Sequence, residues 1–154
     1  MTTIHFADGE TAYQLIMVNE QCLALPVTSI LGIFPLENVL KLPDSPDWLS
    51  GVTHLRNAIV PVMDLQQLLG LAGQALCHFI VLLQNPQSAG RWLAVAASDI
   101  GEVLDKARLM AVTDDRPRHI GIKQLVQDSQ QTICLLDIGV LFDYVVIGQD
   151  KVND

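Results

Sequence analysis

The sequence is poor in charged and aromatic side chains. Only 17% of its 154 residues are charged and only 5% are aromatic, and the formal net charge is −8. An acidic surface repels phosphate backbones, and proteins that bind single strands usually stack the bases on aromatic rings. We therefore do not expect nucleic acid among the partners.

Long apolar runs and paired cysteines are also missing. No segment reaches the roughly 18 apolar residues that span a bilayer, and the N-terminus "MTTIHFADGE" has no basic region ahead of an apolar one. The three cysteines, Cys22, Cys77 and Cys134, are odd in number and too widely spaced for a disulfide framework. We expect buried reduced thiols, a cytoplasmic location and no membrane insertion.

Local signatures of catalysis and metal binding are absent as well. His5, His54, His78 and His119 are scattered, whereas a metal site needs ligands at close, defined spacings. The sequence has no nucleophile elbow, Walker A motif or dinucleotide-binding glycine pattern. An acid–base pair of His54 with Asp64 keeps a small hydrolase open as an alternative. The sequence otherwise favours a protein without catalysis, cofactor or metal.

Apolar residues make up half of the chain, and they are arranged in short strand-like runs. We predict strands over 12–18, 22–27, 29–33, 78–83, 91–97 and 99–104. The segment "FPLENVLKLPDSPDW" carries three prolines, which lack the N–H that a central strand needs, and is predicted to be a connecting loop. The polar segment 113–119 is predicted as an exposed loop and 148–154 as a frayed tail. A mainly all-β fold follows.

The stretch "GVTHLRNAIVPVMDLQQLLG" predicts a hairpin followed by a short helix. Its strands cover 51–55 and 58–63, and a tight turn at Arg56 and Asn57 joins them. Asp64 then begins the helix, because its carboxylate can accept hydrogen bonds from the N–H groups of the first turn.

The same order of features occurs a second time, in "GIKQLVQDSQQTICLLDIGVLFD", where Asp137 takes the place of Asp64. Gly51 and Gly70 of the first copy are interpreted as a turn glycine and a helix-cap glycine. A repeat of this size predicts two small barrels, and a barrel of about five strands fills its interior with side chains. Any binding site must then lie between or outside the barrels.

The segment "LPDSPDWLSGVTHLRNAIVPVMDLQQLLG" resembles the signature of the CheW-like family. The matching positions are Leu42-Pro43, Pro46, Gly51-Val52, His54-Leu55-Arg56-Asn57, Val60-Pro61 and Asp64-Leu65. The upstream strands and the closing "ICLLDIGVLF" also fit the family. The resemblance implies a single CheW-like domain over residues 1–154, made of two SH3-like five-stranded β-barrels that pack around a shared hydrophobic seam, with short helices.

The resemblance also implies a function. CheW-like proteins of this length are non-catalytic adaptors that couple the cytoplasmic tip of a methyl-accepting chemoreceptor to the regulatory domain of a CheA-type histidine kinase. The stretch "PDWLSGV", with Trp48, is similar to adaptors of type IV pilus or twitching-motility pathways, which form the nearest alternative. A module that binds a peptide or small molecule in the same groove is another. The excess of apolar residues would then serve an interface.

By the same resemblance, Arg56 and Asn57 lie at the groove where receptor helices dock, and Val27 and Ile30 face that groove. The guanidinium of Arg56 can pair with carboxylates of a receptor helix. It can equally brace the fold internally, through Asp64 or a loop carbonyl. A core position is an equal alternative for Val27 and Ile30.

Two positions depart from the family pattern. Asn57 stands where the family usually has glycine, but asparagine tolerates left-handed backbone, so we expect the turn to form with an altered fit to the partner. Gly32, in "ILGI", stands where the family often has glutamate. The missing side chain keeps the paralogous pilus pathway open.

Overall fold

The computed structural model describes residues 12–74, 76–112, 119–129 and 131–152. Its strands are β1 (Ala12–Val18), β2 (Gln21–Pro26), β3 (Ile30–Pro35), β4 (Leu49–Leu55), β5 (Ala58–Met63), β6 (Phe79–Asn85), β7 (Ser88–Ala97), β8 (Asp99–Asp105), β9 (Met110–Ala111), β10 (Ile122–Asp128) and β11 (Gln131–Leu136). The helices are α1 (Leu65–Leu69) and α2 (Ile138–Val152), with single 3-10 turns at Val27–Ser29 and Lys106–Arg108. All the predicted strands are present, with ends shifted by up to three residues.

The strands form two sheets, which we call the first and second barrels. The first barrel has the order β8-β1-β2-β11-β10-β9, and the second has the order β3-β6-β7-β5-β4. The chain leaves the first barrel after β2 and returns to it at β8, so the second barrel is inserted within the first. The predicted all-β fold of two barrels is confirmed, although the first barrel contains a sixth strand of two residues, β9.

Strands with continuous apolar runs lie between the two barrels. In β6, Ile80 and Leu82 face the interior of the second barrel, while Val81 and Leu83 face the other side. Successive side chains of a strand point to opposite faces, so a strand buried on both faces needs a continuous apolar run. This explains "FIVLL" in β6.

The side chains between the barrels form one apolar seam, as the family resemblance implied. Both barrels contribute to it, for example through Leu23 of the first and Leu93 of the second, and both helices close it. Its fully buried members include Ile16, Leu23, Met63, Leu65, Leu83, Leu93 and Phe142. Burial of each large side chain stabilises the fold by about 1.5–3 kcal/mol, so the seam holds the barrels together.

The two copies of the repeat occupy equivalent places. Strand β5 pairs in parallel with β7 of the second barrel, and β11 pairs in parallel with β2 of the first. The carboxylate of Asp64 accepts from the backbone N–H of Gln67 at 3.2 Å. That of Asp137 accepts from the N–H of Val140 at 3.3 Å. The predicted repeat and both helix caps are therefore present.

The two helices differ in length, and one residue accounts for the difference. Helix α1 ends at Gly70, which adopts left-handed backbone with φ 66°. The corresponding position of the second copy, six residues after its aspartate, is Asp143. Helix α2 therefore continues to Val152. The prediction of a frayed tail is wrong over 148–152, while residues 153–154 and most of the predicted loop, 113–118, lie outside the described residues.

Gly51 lies inside β4 rather than in a turn, which corrects its predicted place. A Cβ atom on Gly51 would lie 2.3 Å from the carbonyl oxygen of Leu40. The predicted proline-rich loop crosses β4 at this point, and Leu40 and Val52 exchange two backbone hydrogen bonds of 2.8 and 2.9 Å. Glycine is thus needed for a close approach of two backbone segments.

The cysteines are free thiols. Cys22 is buried, as predicted, and Cys77 and Cys134 are partly buried. Desolvation of Cys22, with a smaller contribution from the neighbouring Cys134, raises its pKa to about 11. The thiol therefore stays protonated at neutral pH and has little nucleophilic character.

Candidate functional site

The turn between β4 and β5 has left-handed backbone at both central residues. Arg56 has a φ of 48° and Asn57 a φ of 63°. Two-residue turns of this kind suit the twist of a β-hairpin, and Asn57 takes the conformation expected from the sequence. For a residue such as arginine, left-handed backbone costs about 1–2 kcal/mol. Contacts outside the turn must offset this cost at Arg56.

Those contacts lie on β3. The Nη2 group of Arg56 donates to the carbonyl oxygen of Leu31 at 2.9 Å, and its Cζ atom lies 5.8 Å from the centre of the Phe34 ring. This separation is within the range of a cation–π contact. Strands β3 and β4 are the two edges of this sheet. Arg56 therefore connects the hairpin at one edge with the strand at the other edge. An internal brace therefore exists, and its acceptor is a strand carbonyl rather than Asp64.

The acceptor carbonyl belongs to a β-bulge. The register between β3 and β6 shifts between Ile30 and Gly32, so Leu31 has no Cα partner on β6. A bulge takes the extra residue out of the regular ladder and bends the strand. We attribute the contact of Leu31 with Arg56 to this bulge. The bulge was not predicted, although an isolated glycine in an apolar strand such as "ILGIF" is a signal for one.

Val27 and Ile30 lie where the chain crosses from the first barrel to the second. Val27 is 39% exposed, whereas Ile30 is partly buried against the seam. The N–H of Ile30 donates to the carbonyl of Val27, which closes the 3-10 turn. Ile30 precedes Leu31, whose carbonyl accepts from Arg56, so the crossover leads along the chain into the strand that contacts the Arg56 turn.

An open cleft of about 390 Å³ lies between the barrels beside this crossover. Pro26, Thr28 and Ser29 line it on one side, and the β6–β7 turn and the start of α2 line it on the other. None of the four predicted residues, Val27, Ile30, Arg56 and Asn57, is among its lining residues. The structure therefore has a groove between the barrels, while Arg56 stands apart from it, against β3.

The outer face of the β4–β5 hairpin is largely apolar and at least partly exposed, with the exposed His54 opposite Ile59. Leu40 bridges Val52, and Val52 pairs with Pro61, so these side chains form a row across three segments. Ile59 lies in the next row and is 68% exposed, and Leu40 is 66% exposed. We call Leu40, Val52, Ile59 and Pro61 the hairpin patch. Contiguous exposed apolar surface of this kind is typical of protein interfaces.

His54 and Asp64 do not form an acid–base pair. His54 pairs with Ile59 near the turn, whereas Asp64 follows Met63, whose partner is Leu49 at the other end of the hairpin. The carboxylate of Asp64 caps α1.

Within the described residues, no three His, Cys, Asp or Glu side chains are grouped to hold a metal ion. No helix among these residues is long and apolar enough to cross a membrane.

The protein is mainly all-β, and side chains fill the interiors of its barrels. Its candidate binding sites are therefore on the surface, at the open cleft and at the exposed hairpin patch. Residues 12–146 match the family described as the CheW-like domain. The chain belongs to the CheW-like family, and this prediction from the sequence is confirmed.

Individual relatives agree with this assignment. The chain is 28% identical over 129 residues to the probable chemotaxis protein CheW of Rhizobium etli, covering 81% of this chain and 83% of that protein. It is 23% identical over 131 residues to the chemotaxis protein CheW of Bacillus subtilis, with coverage of 82% and 83%. The crystal structure of the scaffolding protein TtCheW from Thermoanaerobacter tengcongensis matches with a TM-score of 0.73 at 16% identity, covering 92% of this chain and 94% of that one. That likeness confirms the predicted fold.

Proposed function

We propose that this protein is a non-catalytic cytoplasmic adaptor that couples the tip of a methyl-accepting chemoreceptor to the regulatory domain of a CheA-type histidine kinase. The observation that carries the proposal is the family match over residues 12–146. The relatives from Rhizobium etli and Bacillus subtilis are chemotaxis proteins by name, and the solved relative is a scaffolding protein. An adaptor needs two separate surfaces, one for each partner.

The receptor surface, in this proposal, consists of Val27, Ile30, Arg56 and Asn57. Among the described residues, the ion pairs involve Arg108 and none involves Arg56. Its charge is therefore free to pair with carboxylates of a receptor helix, which form strong hydrogen bonds with a guanidinium. The exposed Val27, at the crossover that leads into β3, would add apolar contact.

The kinase surface, in this proposal, is the hairpin patch. Its side chains point away from the interior of the second barrel, because Val60 and Val62 of the same hairpin fill that interior. A specific interface buries about 800 Å² on each partner. We therefore expect the kinase surface to extend beyond the patch onto the neighbouring loop. A strand-rich regulatory domain suits an exposed strand surface of this kind.

We also propose that residues 1–154 form one domain with two barrel subdomains. Two observations support this organisation. The second barrel is inserted between β2 and β8 of the first, and the seam takes buried side chains from both barrels. Neither barrel keeps this apolar face covered without the other.

The proposal is tested with purified components. The protein is mixed with a receptor tip fragment and with a kinase regulatory domain from the same genome, and the dissociation constants are measured by calorimetry. Chemotaxis and type IV pilus pairs are tested in parallel, so the pathway is read from the pair that binds.

Two variants separate the surfaces. Val27→Glu is expected to weaken receptor binding alone, and Ile59→Glu to weaken kinase binding alone. Absence of binding to any receptor or kinase would contradict the proposal and favour a module for a peptide or small molecule in the open cleft.

A further inference from the structure

We infer that Gly32 and Phe34 are positioning residues for Arg56, which present its guanidinium to a carboxylate on the partner. This inference rests on the proposed function, since it concerns the same receptor surface. Gly32 and Phe34 both belong to β3, and neither was predicted from the sequence to contact Arg56.

The need for glycine at position 32 is steric. Gly32 is not among the residues with positive φ, so its backbone does not require glycine. A Cβ atom there would lie 2.9 Å from the Phe34 ring and 3.3 Å from Nη2 of Arg56. The ring and the guanidinium thus occupy the space that a side chain at position 32 would take.

Phe34 is partly buried, and its packing restricts how far the ring can move away from this space. Its side chain packs against the core of the second barrel, and side chains in such cores interdigitate closely. A side chain at position 32 therefore has to displace the ring, the guanidinium or both. In either case, Arg56 loses the aromatic face that limits its position.

The partners of Arg56 leave its charge uncompensated. Leu31 supplies a neutral carbonyl, and Phe34 supplies a ring face. A guanidinium has five N–H donors, and the hydrogen bond to Leu31 uses one of them. The remaining donors can bind a carboxylate in a bidentate manner. The geometry therefore fits an Asp or Glu side chain of the partner.

Pre-orientation of this arginine gives Gly32 a role in affinity. A free arginine side chain loses rotamer freedom when a partner immobilises it, and this loss lowers affinity. The carbonyl and the ring remove part of that freedom before binding. A glutamate at position 32 would act in the opposite way, because its carboxylate would lie beside the guanidinium and neutralise it internally.

The first experiment uses the free protein. The Nε–Hε signal of Arg56 is recorded by ¹⁵N NMR in the wild type, Gly32→Ala, Phe34→Leu and, as a matched control, Gly139→Ala. A Cβ atom on Gly139 would lie 3.5 Å from its nearest neighbour, which is an ordinary van der Waals contact. We expect a ring-current-shifted signal in the wild type and the control, and loss of that shift in Gly32→Ala and Phe34→Leu. An unchanged signal in Gly32→Ala would overturn the inference.

The second experiment measures binding of a receptor tip fragment. Gly32→Ala is expected to weaken binding about 5- to 10-fold, since the contacts that it disturbs are of modest strength. Gly32→Glu should weaken it further than Gly32→Gln, because the two side chains displace the ring alike and only glutamate neutralises Arg56. Binding of the kinase domain should not change in any of these variants. If Gly32→Glu and Gly32→Gln bind the receptor tip with equal affinity, the inference that Arg56 presents its charge to the partner is overturned.

The two experiments separate this inference from the proposed function. If the wild-type protein binds no receptor tip, the proposed receptor contact fails, and with it the presentation to a carboxylate. The NMR comparison still decides whether Gly32 and Phe34 position Arg56. Circular dichroism establishes that each variant is folded, and Phe34→Leu provides a second test should Gly32→Ala not fold.

Discussion

The Nη2 atom of Arg56 lies 2.9 Å from the carbonyl oxygen of Leu31. This hydrogen bond connects the β4–β5 turn with the edge strand β3, at the far side of the same sheet. One exposed side chain therefore stabilises a left-handed turn and at the same time carries an unpaired charge on the surface. The two alternatives for Arg56, internal brace and partner contact, are compatible.

Replacement of Arg56 by alanine is expected to lower the free energy of unfolding by about 1–2 kcal/mol, because it removes the hydrogen bond and the ring contact. Arg56→Gly should be less harmful, since glycine relieves the left-handed backbone. Urea denaturation measures both effects. Equal stability of Arg56→Ala and the wild type would show that the brace contributes nothing.

Asn57 offers a separate test of the turn. Its φ of 63° suits glycine better than any other residue, so Asn57→Gly should match or slightly exceed the stability of the wild type. Asn57→Ala should lose about 1 kcal/mol, because alanine is strained in left-handed backbone. The two variants are compared by thermal denaturation, and an alanine variant as stable as the glycine variant would argue against this turn.

The repeated aspartates should have similar energetic roles. Asp64→Ala and Asp137→Ala are each expected to cost about 1 kcal/mol, the usual value for loss of a helix N-cap. Asp64→Asn and Asp137→Asn serve as controls, because asparagine also caps helices well. Chemical denaturation of the four variants provides the test, and an alanine variant no less stable than its asparagine counterpart would contradict a capping role.

The shared seam predicts a single unfolding transition. Leu83 faces the seam, so Leu83→Ala should destabilise both barrels together, by about 2–5 kcal/mol. Hydrogen exchange of amides in β2 and in β6 reports on the first and second barrels separately. Equal losses of protection in both are expected, whereas a loss confined to β6 would indicate barrels that unfold independently.

Cys22 should make stability fall at alkaline pH. Burial raises its pKa from 9.0 to about 11, so between these pH values the unfolded chain has lost a proton that the folded protein keeps. Stability is then fully retained below pH 9 and declines as the pH rises through this window. Cys22→Ala should show a shallower decline in denaturation at pH 8 to 11. If the free energy of unfolding falls equally with pH in the wild type and in Cys22→Ala, the Cys22 thiol does not cause the decline.

Features that depend on local sequence were predictable. Two copies of one pattern predicted both hairpins and both aspartate caps, because capping and turn formation need only neighbouring residues. The bulge at Leu31 was not predicted, since it depends on the register with β6. Gly51 was misplaced for a similar reason, because the segment that approaches it, at Leu40, lies eleven residues earlier in the chain.

The candidate site was likewise predictable only where it depends on neighbouring residues. Arg56 and Asn57 were identified from a motif, and the turn formed as expected. The acceptor on Leu31 and the ring of Phe34 come from another strand, so their contact with Arg56 required the fold. Pairing between distant strands is the information that a single sequence conveys least directly.

Coupling of a receptor to a kinase can be measured through the activity of the kinase. Autophosphorylation of a CheA-type kinase is measured with receptor-containing membranes, with and without this protein, using the pair that binds. We expect strong activation only when kinase, receptor and this protein are all present, and reduced activation with Ile59→Glu or Val27→Glu. Kinase activity that is unchanged by addition of the wild-type protein would contradict the claim that it is an adaptor.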